Sequence, residues 1–112
     1  MLYIKNKLTT RVWKIRSKSK KKNLPFNLTF KHLLDIFPTN CKCPALNTNF
    51  EFHNYNKQPT VDRIIPEKGY VIGNVVWVSF LANNVMSTAT PDEILKVSKF
   101  AKTTYKKYYP QL

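Results

Sequence analysis

Between Thr10 and Lys22 the apolar positions recur at helical spacing. Val12, Ile15 and Ser19 fall on one narrow face, Trp13 stands beside it, and the remaining faces are basic. This pattern predicts a helix over residues 10 to 22, capped by Thr9 or Thr10. Asn23-Leu24-Pro25 ends it, because proline disfavours helical geometry in the residue before it. A shorter helix is predicted from Phe30 to Phe37, capped by Asn27 or Thr29, with Leu33, Leu34 and Phe37 turned inward and Pro38 as its stop. Residues 41 to 58 are rich in Asn and aromatic side chains and show little period, which predicts a loop with a short hairpin around Phe50 to Phe52.

The most ordered pattern follows. Thr60 to Ile65 has the β-branched density of a strand that Pro66 terminates, and Val75 to Val78 reads as a second strand. The chain holds two glycines, Gly69 and Gly73, and both lie in the connection between these strands. That clustering points to backbone dihedrals other residues cannot adopt, or to close approach to a phosphate. Ser79 can cap a helix carrying Leu81, Ala82, Asn83, Asn84, Val85 and Met86. Thr90-Pro91-Asp92-Glu93 is a strong helix start, and a stripe of Ile94, Val97, Ala101, Tyr105 and Tyr108 predicts a core-packing helix to about Lys107. The expectation is one α+β domain over residues 1–112: a basic helical arm (1–24), a ββα core (60–87) and a C-terminal helix (90–108).

Charge narrows the function. Nineteen Lys and Arg oppose six Asp and Glu, for a net charge of +13, and no acid precedes Asp35. Such a field attracts polyanions, and nucleic acid is the commonest of them in a cell. A solvated lysine-rich tail, or contact with a ribosome, membrane surface or acidic partner, is the alternative. No apolar run approaches the roughly 20 residues of a membrane span, and Met1 to Leu8 alternates with lysines instead of forming a secretory signal. Cys41 and Cys43 are too close for an unstrained disulfide, so the expected setting is intracellular and reducing. With only His32 and His53 as imidazoles, a structural zinc is not expected.

Taken in order, Asp62-Arg63-Ile64, Gly69-Tyr70, Gly73-Asn74-Val75, Val78-Ser79, Ala82-Asn83 and Ser87 resemble the HNH endonuclease core, also called the ββα-metal or His-Me finger. Pro25-Phe26-Asn27-Leu28-Thr29, Cys43-Pro44-Ala45-Leu46 and Thr88-Ala89-Thr90-Pro91-Asp92-Glu93 extend the likeness to a branch common in phages and prophages, covering about residues 10 to 95. The resemblance implies a divalent cation, Mg²⁺ or Mn²⁺, held by Asp62 and Asn83 as oxygen donors, with Asn74 tying the turn together. It implies a metal that polarises a DNA phosphate and stabilises the leaving oxygen.

Where the standard pattern carries a base, this chain has Arg63, whose guanidinium can clamp phosphate but cannot accept a proton. His53, Tyr70 or bulk water is left as the base. Ile65 stands where a second carboxylate is usual, Met86 where a lysine is usual, and Asn47 where a glycine is usual; the first two weaken the case for efficient cleavage. The expected activity is metal-dependent hydrolysis of DNA, most simply double-stranded DNA. The alternative is a catalytically degenerate HNH-like module binding DNA or structured RNA within an assembly. Arg11, Trp13, Lys14, Arg16, Lys18, Lys20, Lys21, Lys22 and Lys68 are the expected nucleic-acid contacts. High sequence specificity would require a dimer or partner protein, because so small a unit reads few bases.

Overall fold

A computed structural model describes the backbone of residues 2–106, and the side chains of 7 and 9–106. The chain is α+β: α1 (Leu2–Lys21), α2 (Phe30–Asp35), β1 (Pro59–Arg63), a single 3-10 turn (Pro66–Lys68), β2 (Val75–Ser79), α3 (Phe80–Met86) and α4 (Pro91–Thr104).

The basic helix begins well before Thr9 and Thr10, which lie inside it and not at its start. No glycine or proline interrupts Leu2 to Lys21, so nothing local stops the helix earlier. Its end is a Schellman turn. Asn23 adopts φ 54, the Leu24 N–H reaches the Ser19 carbonyl at 2.9 Å and the Asn23 N–H reaches that of Lys20 at 3.3 Å. The stop therefore comes from a left-handed Asn, ahead of Pro25. Val12, Ile15 and Ser19 do form the inward face, with Ser19 fully buried.

Thr29, not Asn27, caps α2 by accepting from the His32 N–H. Asn27 is used elsewhere: its Oδ1 accepts from the Ile72 N–H at 2.7 Å. The helix ends at Asp35, two residues short of Phe37. The expected hairpin at Phe50 to Phe52 is absent, and in its place Lys42 and Asn49 form a single bridge around a turn in which Asn47 takes φ 57. Within that turn the Cys43 sulfur accepts from the Ser79 N–H at 3.3 Å, so the thiol is spent on fastening the loop to β2. Both cysteines are free thiols.

β1 and β2 pair antiparallel, with Asp62 opposite Val76 and Thr60 opposite Val78. Their connection docks onto the Pro25–Asn27 segment through Tyr70 N–H to the Pro25 carbonyl (3.0 Å) and Asn27 N–H to the Tyr70 carbonyl (3.1 Å). Gly69 is required there. Its φ is 74, and a Cβ would collide with the Pro25 carbonyl oxygen. Trp77, 1% exposed, anchors the core with Leu33, Phe50, Val61, Val78 and Ala82, and its indole N–H donates to the Leu33 carbonyl at 2.9 Å.

α4 starts as the sequence predicts, with a reciprocal capping box between Thr90 and Glu93 and Pro91 in the first turn. Its stripe does not pack into the core. Val97 is 65% exposed and Tyr105 44%, while Ile94 and Ala101 are half-buried. The helix touches the body at α3 near its own start and then runs on over solvent, so amphipathic spacing here marks no burial. Tyr108 lies outside the described residues.

Candidate functional site

The site is built on one face of the β1–β2 pair. Side chains alternate along a strand, so Thr60 and Asp62 share a face while Val61 turns into the core. α3 packs across both strands. Ser79 starts it by accepting from the Ala82 N–H at 3.2 Å, and four residues after that cap Asn83 reaches β1. Its Nδ2 donates to Thr60 Oγ1 at 3.3 Å, and Thr60 Oγ1 in turn donates to the Val78 carbonyl at 2.9 Å. Asp62 and Asn83 consequently line one open cleft of about 500 Å³, together with Arg63, Met86, Ser87 and Thr88. With its amide nitrogen engaged by Thr60, Asn83 has its oxygen left to accept or ligate.

Burial pushes the Asp62 carboxyl above its ordinary value, and the Arg63 N–H and positive charge pull the other way without overcoming it. A half-buried carboxylate with one weak counter-charge gains from a cation. The donor set suits a hard ion, because a carboxylate and an amide oxygen supply two oxygens and an open cleft leaves room for water and phosphate oxygens. Among the described residues no three His, Cys, Asp or Glu side chains gather as a metal group. A cation in this cleft would therefore have two protein donors, one carboxylate and one amide oxygen.

Arg63 is held in place from two sides. It donates to the Pro66 carbonyl at 3.1 Å, and its guanidinium carbon lies 5.1 Å from the centre of the Tyr70 ring. The Asn74 side chain staples the turn: Oδ1 accepts from the Ile65 N–H at 2.9 Å, and Nδ2 donates to the carbonyls of Ile65 (2.9 Å) and Gly69 (2.7 Å). These three hydrogen bonds tie the connection between the strands to itself.

His53 is not brought to the cleft. It is an exposed residue of the turn before β1, and that turn closes on itself through the Glu51 N–H and the Lys57 carbonyl at 3.0 Å. The turn adjoins the start of β1 and α3, whereas Asp62 lies three residues further along β1, about 10 Å at the rise of a strand. Tyr70 is buried beneath Arg63 and lines a different cleft.

The basic residues divide by face. Lys14, Arg16, Lys18, Lys20, Lys21, Lys22 and Lys68 are exposed. Trp13, 62% exposed, borders a shallow groove of about 450 Å³ with Lys14, Lys18, Lys21 and Lys22, and the Arg16 guanidinium lies 5.8 Å from its ring. Arg11 differs from the rest: it is half-buried and donates to Gln58 Oε1 at 3.2 Å.

Two residues that hold the site together escaped the sequence reading. Thr60 carries Asn83, and Gln58 carries Arg11. Period-two alternation from Asp62 points to Thr60; nothing local points to Gln58, whose partner is 47 residues away. Comparison with family models, with characterised proteins and with solved structures found no match to this chain. No helix among the described residues is long and apolar enough to cross a membrane.

Proposed function

We propose that this chain is a metal-dependent endonuclease of the HNH type that hydrolyses phosphodiester bonds in DNA. The observation that carries the reading is the meeting of Asp62, from the far part of a strand, and Asn83, from the following helix, in one open cleft, with Asn83 also lining a second cleft walled by the basic helix α1. Asp62 and Asn83 would hold a divalent cation such as Mg²⁺ or Mn²⁺, which when bound supplies positive charge to the scissile phosphate and the departing oxygen.

The chain's own groups do the rest. Asn83, fixed through Thr60, sets the distance between helix and strand. Arg63, steadied by Pro66 and Tyr70, lines the same cleft and offers N–H donors to a phosphate oxygen. Exposed lysines of α1 draw the polyanion in.

A second reading is favoured by one feature. No imidazole lines the cleft, so a base for water must be solvent itself, and a module that binds without cutting is the alternative. Plasmid nicking separates the two. Supercoiled DNA should relax with Mg²⁺ or Mn²⁺, and Asp62→Ala should abolish relaxation while leaving salt-sensitive binding in place. Supercoiled plasmid untouched with every divalent ion tried leaves the binding module. Under either reading, affinity should fall about a thousandfold between roughly 50 and 200 mM salt if around six phosphates are contacted.

A further inference from the structure

We infer that the cleft between α1 and the strand–helix unit is a nucleotide subsite, seating one sugar-phosphate unit of a nucleic-acid strand directly beside the Asp62 cleft. The inference rests on the nucleic-acid reading above and specifies where the strand lies.

Arg11, Lys14 and Lys18 stand at i, i+3 and i+7 on α1 and form the basic wall. Val61 and Phe80 contribute the apolar side, and Asn83 closes it. The volume, about 250 Å³, is too small to admit a duplex and suits a single nucleotide unit, with phosphate toward the cations and sugar against the apolar wall.

Two features separate this cleft from a merely positive surface. Arg11 is half-buried, and its guanidinium is fixed by a neutral partner, the Gln58 amide oxygen at 3.2 Å. Neither the Lys57–Glu51 nor the Lys96–Asp92 ion pair involves this wall, and among the described residues no carboxylate pairs with Arg11, Lys14 or Lys18. A pre-positioned, partly desolvated cation with no protein anion opposite it is matched by an anion from outside. Asn83 also lines both this cleft and the one holding Asp62. A strand whose scissile phosphate meets Asp62 therefore has its neighbouring unit within reach of Lys14 and Lys18.

The test compares two charge-matched double variants, K14Q/K18Q in the cleft and K99Q/K102Q on α4, both at exposed lysines. Binding of a short fluorescein-labelled single-stranded DNA is measured in EDTA across a salt series. The cleft pair should lose about tenfold in affinity, and its log–log salt slope should fall by about 1.4, at ~0.7 per lost single-strand phosphate contact. The α4 pair should lose less than about threefold with its slope unchanged, since it alters only the diffuse field. Equal losses in the two pairs overturn the subsite.

Lysine acylation of the wild-type protein gives an answer independent of the variants' folding. Bound strand should protect Lys14 and Lys18 and spare Lys99 and Lys102; unprotected Lys14 and Lys18 overturn the inference. Failure of the nuclease reading looks different. Plasmid left intact with every divalent ion, alongside the unequal losses above, removes cleavage and keeps the subsite.

Discussion

The Asn83 amide donates to the Thr60 hydroxyl at 3.3 Å, and the same hydroxyl donates to the Val78 carbonyl, so one side chain couples helix α3 to both strands of the sheet. Asp62 lies on the same face two residues beyond Thr60. The geometry of the proposed ligand pair thus depends on a residue that is not itself one of the two ligands.

Thr60→Val tests that dependence. The change conserves shape and removes both hydrogen bonds, so unfolding stability should drop by about 1–2 kcal/mol. Cleavage should lose kcat with little change in KM, because Asn83 would be loosened while the basic surface is intact. Thr60→Ser should restore most of the rate. A wild-type kcat in Thr60→Val would show that Asn83 needs no such support.

Asn74 makes three hydrogen bonds with backbone from a buried position. Asn74→Ala leaves the Ile65 N–H and two carbonyls without their partner and should cost about 3 kcal/mol. Asn74→Asp should be worse despite its identical shape. It retains an acceptor for the Ile65 N–H but turns a charged oxygen toward the Ile65 and Gly69 carbonyls. Urea melts of the two variants rank them directly, and a milder effect for Asp would contradict this account of the staple.

The two glycines should respond unequally to alanine. Gly73 has φ 91 and no neighbouring atom within 4 Å of an added Cβ, so Gly73→Ala carries only the backbone strain of about 1–2 kcal/mol. Gly69→Ala adds a collision with the Pro25 carbonyl that accepts from the Tyr70 N–H. It should be clearly the more destabilising, with amide exchange quickening at Tyr70 and Asn27. Equal melting temperatures would mean the Pro25 segment shifts freely.

Asp62 should make the metal-free protein less stable at neutral pH. Burial holds its folded pKa above the ordinary carboxylate value, so the favourable contribution is complete below the unfolded pKa and is lost as pH rises through the folded one. Asp62→Asn should therefore melt higher than wild type near pH 7, with the gap closing as pH falls through the carboxylate range. Mg²⁺ or Mn²⁺ should raise the wild-type Tm and leave Asp62→Asn unmoved; at ~100 times Kd the linkage amounts to about 2.7 kcal/mol. Equal responses of the two proteins to the ions would remove Asp62 as a ligand.

Much of this architecture is written locally. The strands around Asp62 and Trp77, the Ser79 cap and the Thr90–Glu93 capping box all depend on residues within a few positions of one another, and the structure contains each of them. The glycine pair in the connection was equally legible, because positive φ strongly favours glycine there. The sequence misled where local signals compete. Thr9 and Thr10 look like caps, yet nothing before them breaks the helix; Asn27 looks like a cap, yet the Ile72 N–H, 45 residues away, engages its side chain.

From the residue order alone come the α+β make-up and the basic face of α1, since strand alternation and helical period are rules of neighbours, whereas the pairing of Asp62 with Asn83 was implied only by the family resemblance. Tertiary structure decided what lies opposite what. It set Arg11 against Gln58, kept His53 away from the cleft, and left the apolar stripe of α4 over solvent. Periodicity states which side chains share a face, but burial of that face depends on another part of the chain arriving there, and no local rule encodes that arrival.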